Sequence, residues 1–313
     1  MIDVVRYTAD KADEWNQFVA RSKQGTFLHD RRYMDYHADR FSDCSLMCYY
    51  HDELVALLPG NEESGRSYCS HRGLTYGGLI TNEKATAVVV QQLFRELNEW
   101  LHEQGFQDVS YKAVPHIYHQ LPAEEDLYAL FSVCHAHLVS RNISSVIDLN
   151  DRLKWRHNRR EGVNRSRREG VVVQESNDYS SFWEVLNHNL MDKYGVRPVH
   201  TLQEMELLKL RFPEQIRLFT ACKDGNTLGG TVIYQTPKVA HVQYISASVE
   251  GKRLRVMDAI FDYLLNVCTW PCRYFDFGTS NEDAGHTLVE PLIYQKEGFG
   301  ARAVCYDTYR WTL

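Results

Sequence analysis

No run of about 18 apolar residues occurs anywhere in the 313-residue chain, which excludes a membrane-spanning helix. The start, Met1 to Asp10, lacks the basic-then-apolar layout of a secretory leader, so the chain is expected to stay in the cytoplasm. Metal-ligand spacing is missing as well. Cys44/Cys48 and Cys268/Cys272 are close pairs, but no companion Cys or His pair completes a tetrahedral set, and the cysteines read as reduced, mostly buried thiols with no structural metal. No Gly-x-Ser-x-Gly or other nucleophile setting is present, which favours direct transfer between bound substrates over a covalent acyl-enzyme. A strong charge of one sign is also lacking. Net charge is −6, and the excess of acid falls in residues 1–145, so a large basic face for duplex nucleic acid is not expected.

What is present is a globular composition, 44% hydrophobic and 24% charged, able to bury one large core or two ordinary ones. Residues 239–304 read as strand, loop, helix, strand, helix, strand. The strand-like run Val239-Ala-His-Val-Gln-Tyr-Ile-Ser-Ala-Ser248 meets the polar loop Val249-Glu-Gly-Lys-Arg253, and a helix is expected over 254–267. Next come the short strand Tyr274-Phe-Asp-Phe-Gly278, a polar turn at 279–283, a helix through Tyr294 and a strand at 301–306. A loop that feeds a helix N-terminus leaves backbone N–H groups suited to an anion. This stretch is therefore the expected reaction end.

The order of elements recurs. Arg40-Phe-Ser-Asp43 is echoed by Arg211-Phe-Pro-Glu214, and each leads into a strand, a tight turn (His51-Asp-Glu53, Lys223-Asp-Gly-Asn226) and a second strand. A tandem α/β duplication explains that spacing, with one module over 1–150 and another over 151–313.

The strand ending Gln243-Tyr-Ile-Ser-Ala-Ser248, the step at Glu250-Gly-Lys252, the segment Tyr274 to Gly278 with Ser280-Asn281, and above all Leu292-Ile-Tyr-Gln-Lys-Glu-Gly-Phe-Gly300 resemble the GNAT acyltransferases. The doubled arrangement resembles the FemAB-like transferases, including those associated with polysaccharide genes. The last segment resembles that family's terminal Phe-Lys-x-x-Phe-Gly signature, although Gln295 stands where the family has Phe. The family's pyrophosphate loop, Gln/Arg-x-x-Gly-x-Gly/Ala, has one glycine here, Gly251. The resemblance implies a mixed, mostly antiparallel sheet flanked by helices in each module, the first a degenerate acceptor side and the second the donor side. It implies an acyl-CoA such as acetyl-CoA as donor, no metal, and an amine acceptor, expected on a nucleotide-linked sugar for cell-surface polysaccharide. FemAB relatives that use aminoacyl-tRNA also carry degenerate loops, so that donor, with a peptidoglycan precursor as acceptor, stays open. A GNAT pair that binds without catalysing is a further alternative.

Four residues are candidates for the chemistry. Lys296 could stabilise charge on an acyl carbonyl, unless it is a solvated helix-end lysine. Asn281 and Glu282 follow a strand end, where Glu282 could deprotonate an amine, or they cap the next helix. Tyr244 could protonate a leaving group, or simply pack. Ser246, Ser248, Glu250, Gly251, Lys252 and Arg253 are candidates for holding the donor phosphates. The basic run 152–168, with Arg159 and Arg160, could bind phosphate or form a solvated helix face. His71, Tyr76, Lys112, His116, Tyr194 and His200 lie in polar, Gly- or Pro-bearing loops or at a strand end, the make-up of an acceptor site. That site is expected between the repeats.

Overall fold

A computed structural model describes residues 2–64 and 66–313, with the side chain of Tyr194 also outside the described set. The chain separates into two compact units. Unit 1 comprises 1–143, 281–288 and 304–313; unit 2 comprises 144–280 and 289–303. The division therefore differs from a single cut at 150/151, because the last strand of the second half completes unit 1.

In unit 1, β1 (Ile2–Arg6) is followed by α1 (Ala12–Arg21), α2 (Arg31–Met34) and the short β2 (Ser42–Asp43). Strands β3 (Leu46–Tyr50) and β4 (Glu53–Leu58) form a hairpin, and β5 (Asn61–Glu63), β6 (Ser67–Cys69) and β7 (Ile80–Thr81) follow. Helix α3 (Ala87–Glu103) buries Val89, Val90, Leu93, Phe94, Leu97 and Leu101, one face at helical spacing. It covers β8 (Asp108–Lys112), whose Val109 and Tyr111 join the same core. Helix α4 (Glu125–Ser132) leads into β9 (His137–Asp148), whose residues from Ser144 onward belong to unit 2.

Unit 2 continues with α5 (His157–Arg168), β10 (Val172–Ser176), α6 (Tyr179–Tyr194) and α7 (Leu202–Arg211). Then come β11 (Ile216–Lys223), β12 (Asn226–Gln235) and β13 (Val239–Ala247). Its sheet runs β10-β11-β12-β13, antiparallel throughout. The β11–β12 turn places Asp224 and Gly225 at φ 50° and 79°, a two-residue hairpin turn whose twist matches the strands. His51 and Asp52 make the same turn between β3 and β4, at φ 50° and 62°. The repeated hairpins thus use one turn chemistry, which agrees with tandem modules of mixed α/β type.

The expected helix over 254–267 is broken. Helix α8 (Val249–Arg253) stops at Leu254, Arg255 adopts φ 63°, and α9 (Val256–Asp262) restarts the helix before a π-turn at Tyr263–Val267. The break lets the Arg255 guanidinium reach the buried Asp258 carboxylate at 2.6 Å. Strand β14 (Tyr274–Thr279) then enters the sheet parallel to β13 and antiparallel to the Ser144–Asp148 part of β9. No helix follows directly. Instead β15 (Asn281–Glu282) and β16 (Thr287–Leu288) form a small hairpin in unit 1. Helix α10 (Glu290–Glu297) and β17 (Arg302–Thr312) close the chain, with β17 pairing β8 in unit 1. Phe261, Phe275, Phe277 and Phe299 pack beneath the unit 2 strands, with Phe277 and Phe299 stacked at 5.8 Å.

Candidate active site

Strands β13 and β14 pair only at Val239, Ala240 and His241 against Tyr274, Phe275 and Asp276. Past that point they part. Each has an irregularity at the divergence: the β12–β13 register slips at Gln243, and the β14–β9 register slips between Asp276 and Thr279. Bulges bend a strand and re-aim its side chains, and here they open a fork in the sheet. Gly278 makes the second bend at φ 77°, a conformation that costs a side-chain-bearing residue about 1–2 kcal/mol.

Lys296 closes the base of this bend. Its Nζ donates to the carbonyls of Gly278 at 2.8 Å and Thr279 at 2.7 Å, and the side chain is nearly buried. Burial pulls the ammonium down from 10.5 to about 8, with Asp276 nearby pulling the other way. An ammonium has three N–H bonds, and two are occupied. Lys296 is thus a held cation at the strand end and not a solvated one.

Beside it lies an arrangement that sequence reasoning missed. The fully buried Asp276 carboxylate accepts from the Ser144 hydroxyl and, at 2.9 Å, from the Gly278 N–H on Oδ1, and meets His241 Nδ1 at 2.9 Å on Oδ2. With the carboxylate ionised it only accepts, which puts the His241 proton on Nδ1 and the lone pair on Nε2. A Cβ at Gly278 would stand 3.7 Å from His241 Cε1, so the ring lies against the bend that Lys296 holds. One signal for this was available: an aspartate inside the apolar run Tyr274-Phe-Asp-Phe needs buried partners.

Tyr244, further along β13, meets His200. Its hydroxyl accepts from the His200 N–H at 3.2 Å and forms a hydrogen bond with Nδ1 at 2.5 Å. Burial pushes the phenol up to about 12, so it stays protonated. Trp183 packs on the Tyr244 ring and donates to the His200 carbonyl. Tyr244 and His200, expected in separate roles, are therefore one unit.

The expected phosphate loop is engaged in bonds of its own. Ser248 caps α8, and its hydroxyl takes the Gly251 N–H at 3.0 Å, so that amide is not open to a phosphate. Gly251 is glycine for another reason: a Cβ there would meet the Leu228 carbonyl at 2.3 Å. Asn189 on α6 accepts from Lys252 Nζ and donates to the Ser246 hydroxyl, while Glu250 pairs with the exposed Arg253 at 3.6 Å. Ser246, Ser248, Gly251 and Lys252 thus fasten α8 to its neighbours.

Helix α5 sorts its arginines. Arg159, Gly162, Val163 and Ser166 face inward, and Arg159 bonds Asp258 at 2.8 Å over the Phe299 ring. Arg159 is therefore buried and paired with a carboxylate, where a solvated phosphate-facing side chain was one expectation. Arg160, Arg165 and Arg168 are exposed and have no acidic partner among the described residues.

Four further candidates make contacts within unit 1. His71 is buried against His37 and Phe41, and burial lowers it to about 3. Tyr76 is buried against Tyr118 and bonds Thr26. Lys112 donates to the carbonyls of Arg72 and Leu74, and burial pulls its ammonium down. The Asn281 amide accepts from the Ile143 N–H and donates to Asn142, so it braces β9 instead of capping a helix. Glu282 is exposed in the hairpin, also without a capping bond. His116 is exposed in unit 1, and Tyr194 lies outside the described side chains. No cluster of three or more His, Cys, Asp or Glu with metal-binding geometry occurs among the described residues.

Residues 152–284 match the family described as Acetyltransferase (GNAT) domain. No curated protein matches. Solved structures do. FemX shares 10% identity at a TM-score of 0.69, covering 99% of this chain and 97% of its own. L-PGS from Bacillus licheniformis shares 13% at 0.59, covering 96% and 91%. A tandem GNAT protein from the clavulanic acid biosynthesis pathway shares 10% at 0.50, covering 100% and 98%.

Proposed function

We propose that this chain is a FemAB-like GNAT acyltransferase, in line with the GNAT-domain match over 152–284 and the fold it shares with FemX, and that it moves an acyl group to an amine at the β13–β14 fork, with Lys296 receiving the charge of the tetrahedral intermediate. The observation that carries this reading is the Lys296 ammonium, fixed by two carbonyls at a bend where the sheet opens. A preorganised cation in a site shielded from water stabilises a developing oxyanion far better than a mobile one. Tyr244, protonated across the working range, is the further acid in the same unit and a donor for the leaving group.

The donor we propose is an aminoacyl ester on tRNA. The Gly251 amide is occupied and Lys252 is bonded to Asn189, which leaves α8 poorly suited to a pyrophosphate. Arg160, Arg165 and Arg168 offer unpaired charge to a longer polyanion. The acyl-CoA reading drawn from sequence keeps one support, the match of 152–284 to the acetyltransferase family. The acceptor amine is expected on a nucleotide-linked precursor of the cell envelope, in line with the FemAB resemblance. Parallel assays with aminoacyl-tRNA and acetyl-CoA separate the donors. Arg160→Ala should weaken tRNA binding and lower the log–log salt slope by about 1, the signature of one lost phosphate contact. Transfer from acetyl-CoA alone, with no salt-dependent tRNA binding, would reject the tRNA donor.

A further inference from the structure

We propose that His241 is the catalytic base of the transfer, and that Asp276, braced by Ser144, is its positioning residue. This deepens the reading above and rests on it.

Three observations converge. First, the Asp276 carboxylate is fully buried, which isolates a negative charge from water and demands donors on every side. The Ser144 hydroxyl, the Gly278 N–H and the His241 ring supply them. Second, that wiring fixes the imidazole tautomer, with Nδ1 bonded and the lone pair on Nε2. Nε2 has no hydrogen-bond partner among the described residues, and the ring keeps some exposure, 14% of its side chain. A histidine that only packs normally satisfies both nitrogens when buried. Third, His241 is the last β13 residue paired with β14 before the strands part, and its Cε1 faces Gly278, whose carbonyl holds Lys296. Base and cation therefore address one region of the fork. The titratable groups around the ring are Asp276 from β14, Lys296 from α10 and Tyr234, its cross-strand neighbour on β12; Ser144 from β9 completes the network.

The acceptor amine attacks the acyl carbonyl carbon and the C–N bond forms. The amine proton passes to His241 Nε2 while the carbonyl oxygen takes negative charge opposite Lys296. On collapse the C–O bond of the ester breaks (C–S for a thioester), the leaving oxygen or sulfur takes a proton from the Tyr244 hydroxyl, and the proton held on His241 Nε2 returns to the Tyr244 oxygen through solvent. The products are an amide and the free hydroxyl or thiol, with His241 neutral again.

His241→Gln and Asp276→Asn test the assignment in the full chain. His241→Gln should lose roughly 10²–10⁴ in kcat/KM, the usual worth of a general base. Asp276→Asn can keep its oxygen toward Ser144 and Gly278 while turning an NH₂ to His241 Nδ1. That forces the imidazole proton onto Nε2, so ¹⁵N chemical shifts should report a reversed tautomer with a comparable rate loss. A merely structural Asp276 would leave the tautomer unchanged. Activity within tenfold of wild type in His241→Gln would overturn the assignment and spare the transferase reading. So would ¹⁵N shifts that place the wild-type proton on Nε2. A wild-type chain that transfers from neither aminoacyl-tRNA nor acetyl-CoA would overturn both.

Discussion

Replacing Lys296 by Met should change how stability depends on pH, because burial holds the ammonium at a proton affinity well below that of the unfolded chain. The native group titrates at about 8 and an unperturbed lysine at 10.5. Each pH unit of difference corresponds to about 1.4 kcal/mol, so the charged lysine costs the native state about 3 kcal/mol at neutral pH. The sign follows from proton counting. Between 8 and 10.5 the unfolded chain binds more protons at this site than the folded one, so wild-type stability gains as pH rises through that window. Below 8 both states are protonated and the cost is constant. Other groups titrate in the same range, but they are shared with the variant and cancel in the difference. Lys296→Met also removes two hydrogen bonds from the Gly278 and Thr279 carbonyls, a loss that adds an offset independent of pH. Denaturant unfolding of both proteins from pH 7 to pH 10.5 should therefore show wild type gaining about 3 kcal/mol over the variant. A flat difference would mean that Lys296 is solvated in the native protein. The case for a desolvated cation at the fork would then fail.

Arg159→Met should destabilise by roughly 3 kcal/mol in urea unfolding, because it strips one partner from the buried Asp258 and leaves only Arg255. Arg160→Ala, one position along the same helix but exposed, should stay within about 0.5 kcal/mol of wild type, and equal effects would contradict the sorting of α5. Gly251→Ala should cost about 1–3 kcal/mol, since its methyl would meet the Leu228 carbonyl at 2.3 Å. Unchanged stability there would show that α8 can move away from β12.

The hairpins, the long amphipathic α3 and the duplicated order were legible because local patterning dictates them. Apolar spacing sets the buried face of α3, and Lys223-Asp-Gly-Asn226 encodes its turn through residues that tolerate positive φ. The break at Arg255 was not legible. A run such as Leu254, Met257, Ile260, Phe261, Leu264 reads as one helix, and only a buried carboxylate on the next turn, drawing an arginine back onto itself, interrupts it. The split of the last strand was hidden for a related reason: register between distant strands depends on partners that sequence spacing does not name.

The site was half legible on the same physical grounds. Lys296 stood out through the residues around it, and its location at a strand bend is consistent with the role expected of a cation. Arg159 and Arg160 were indistinguishable as letters, yet a single helical step of 100° sends one onto Asp258 and the other to solvent. Asp276 and His241 looked like strand residues among apolar neighbours. Their significance depends on contact between β13, β14 and β9, which brings together side chains from positions 144, 241 and 276. Burial is what converts such residues into chemistry. A carboxylate in water would fix no tautomer, and a lysine in water would keep its proton far above the working pH. At this fork burial does both: it lowers the cation toward 8 and leaves the imidazole one open nitrogen beside it.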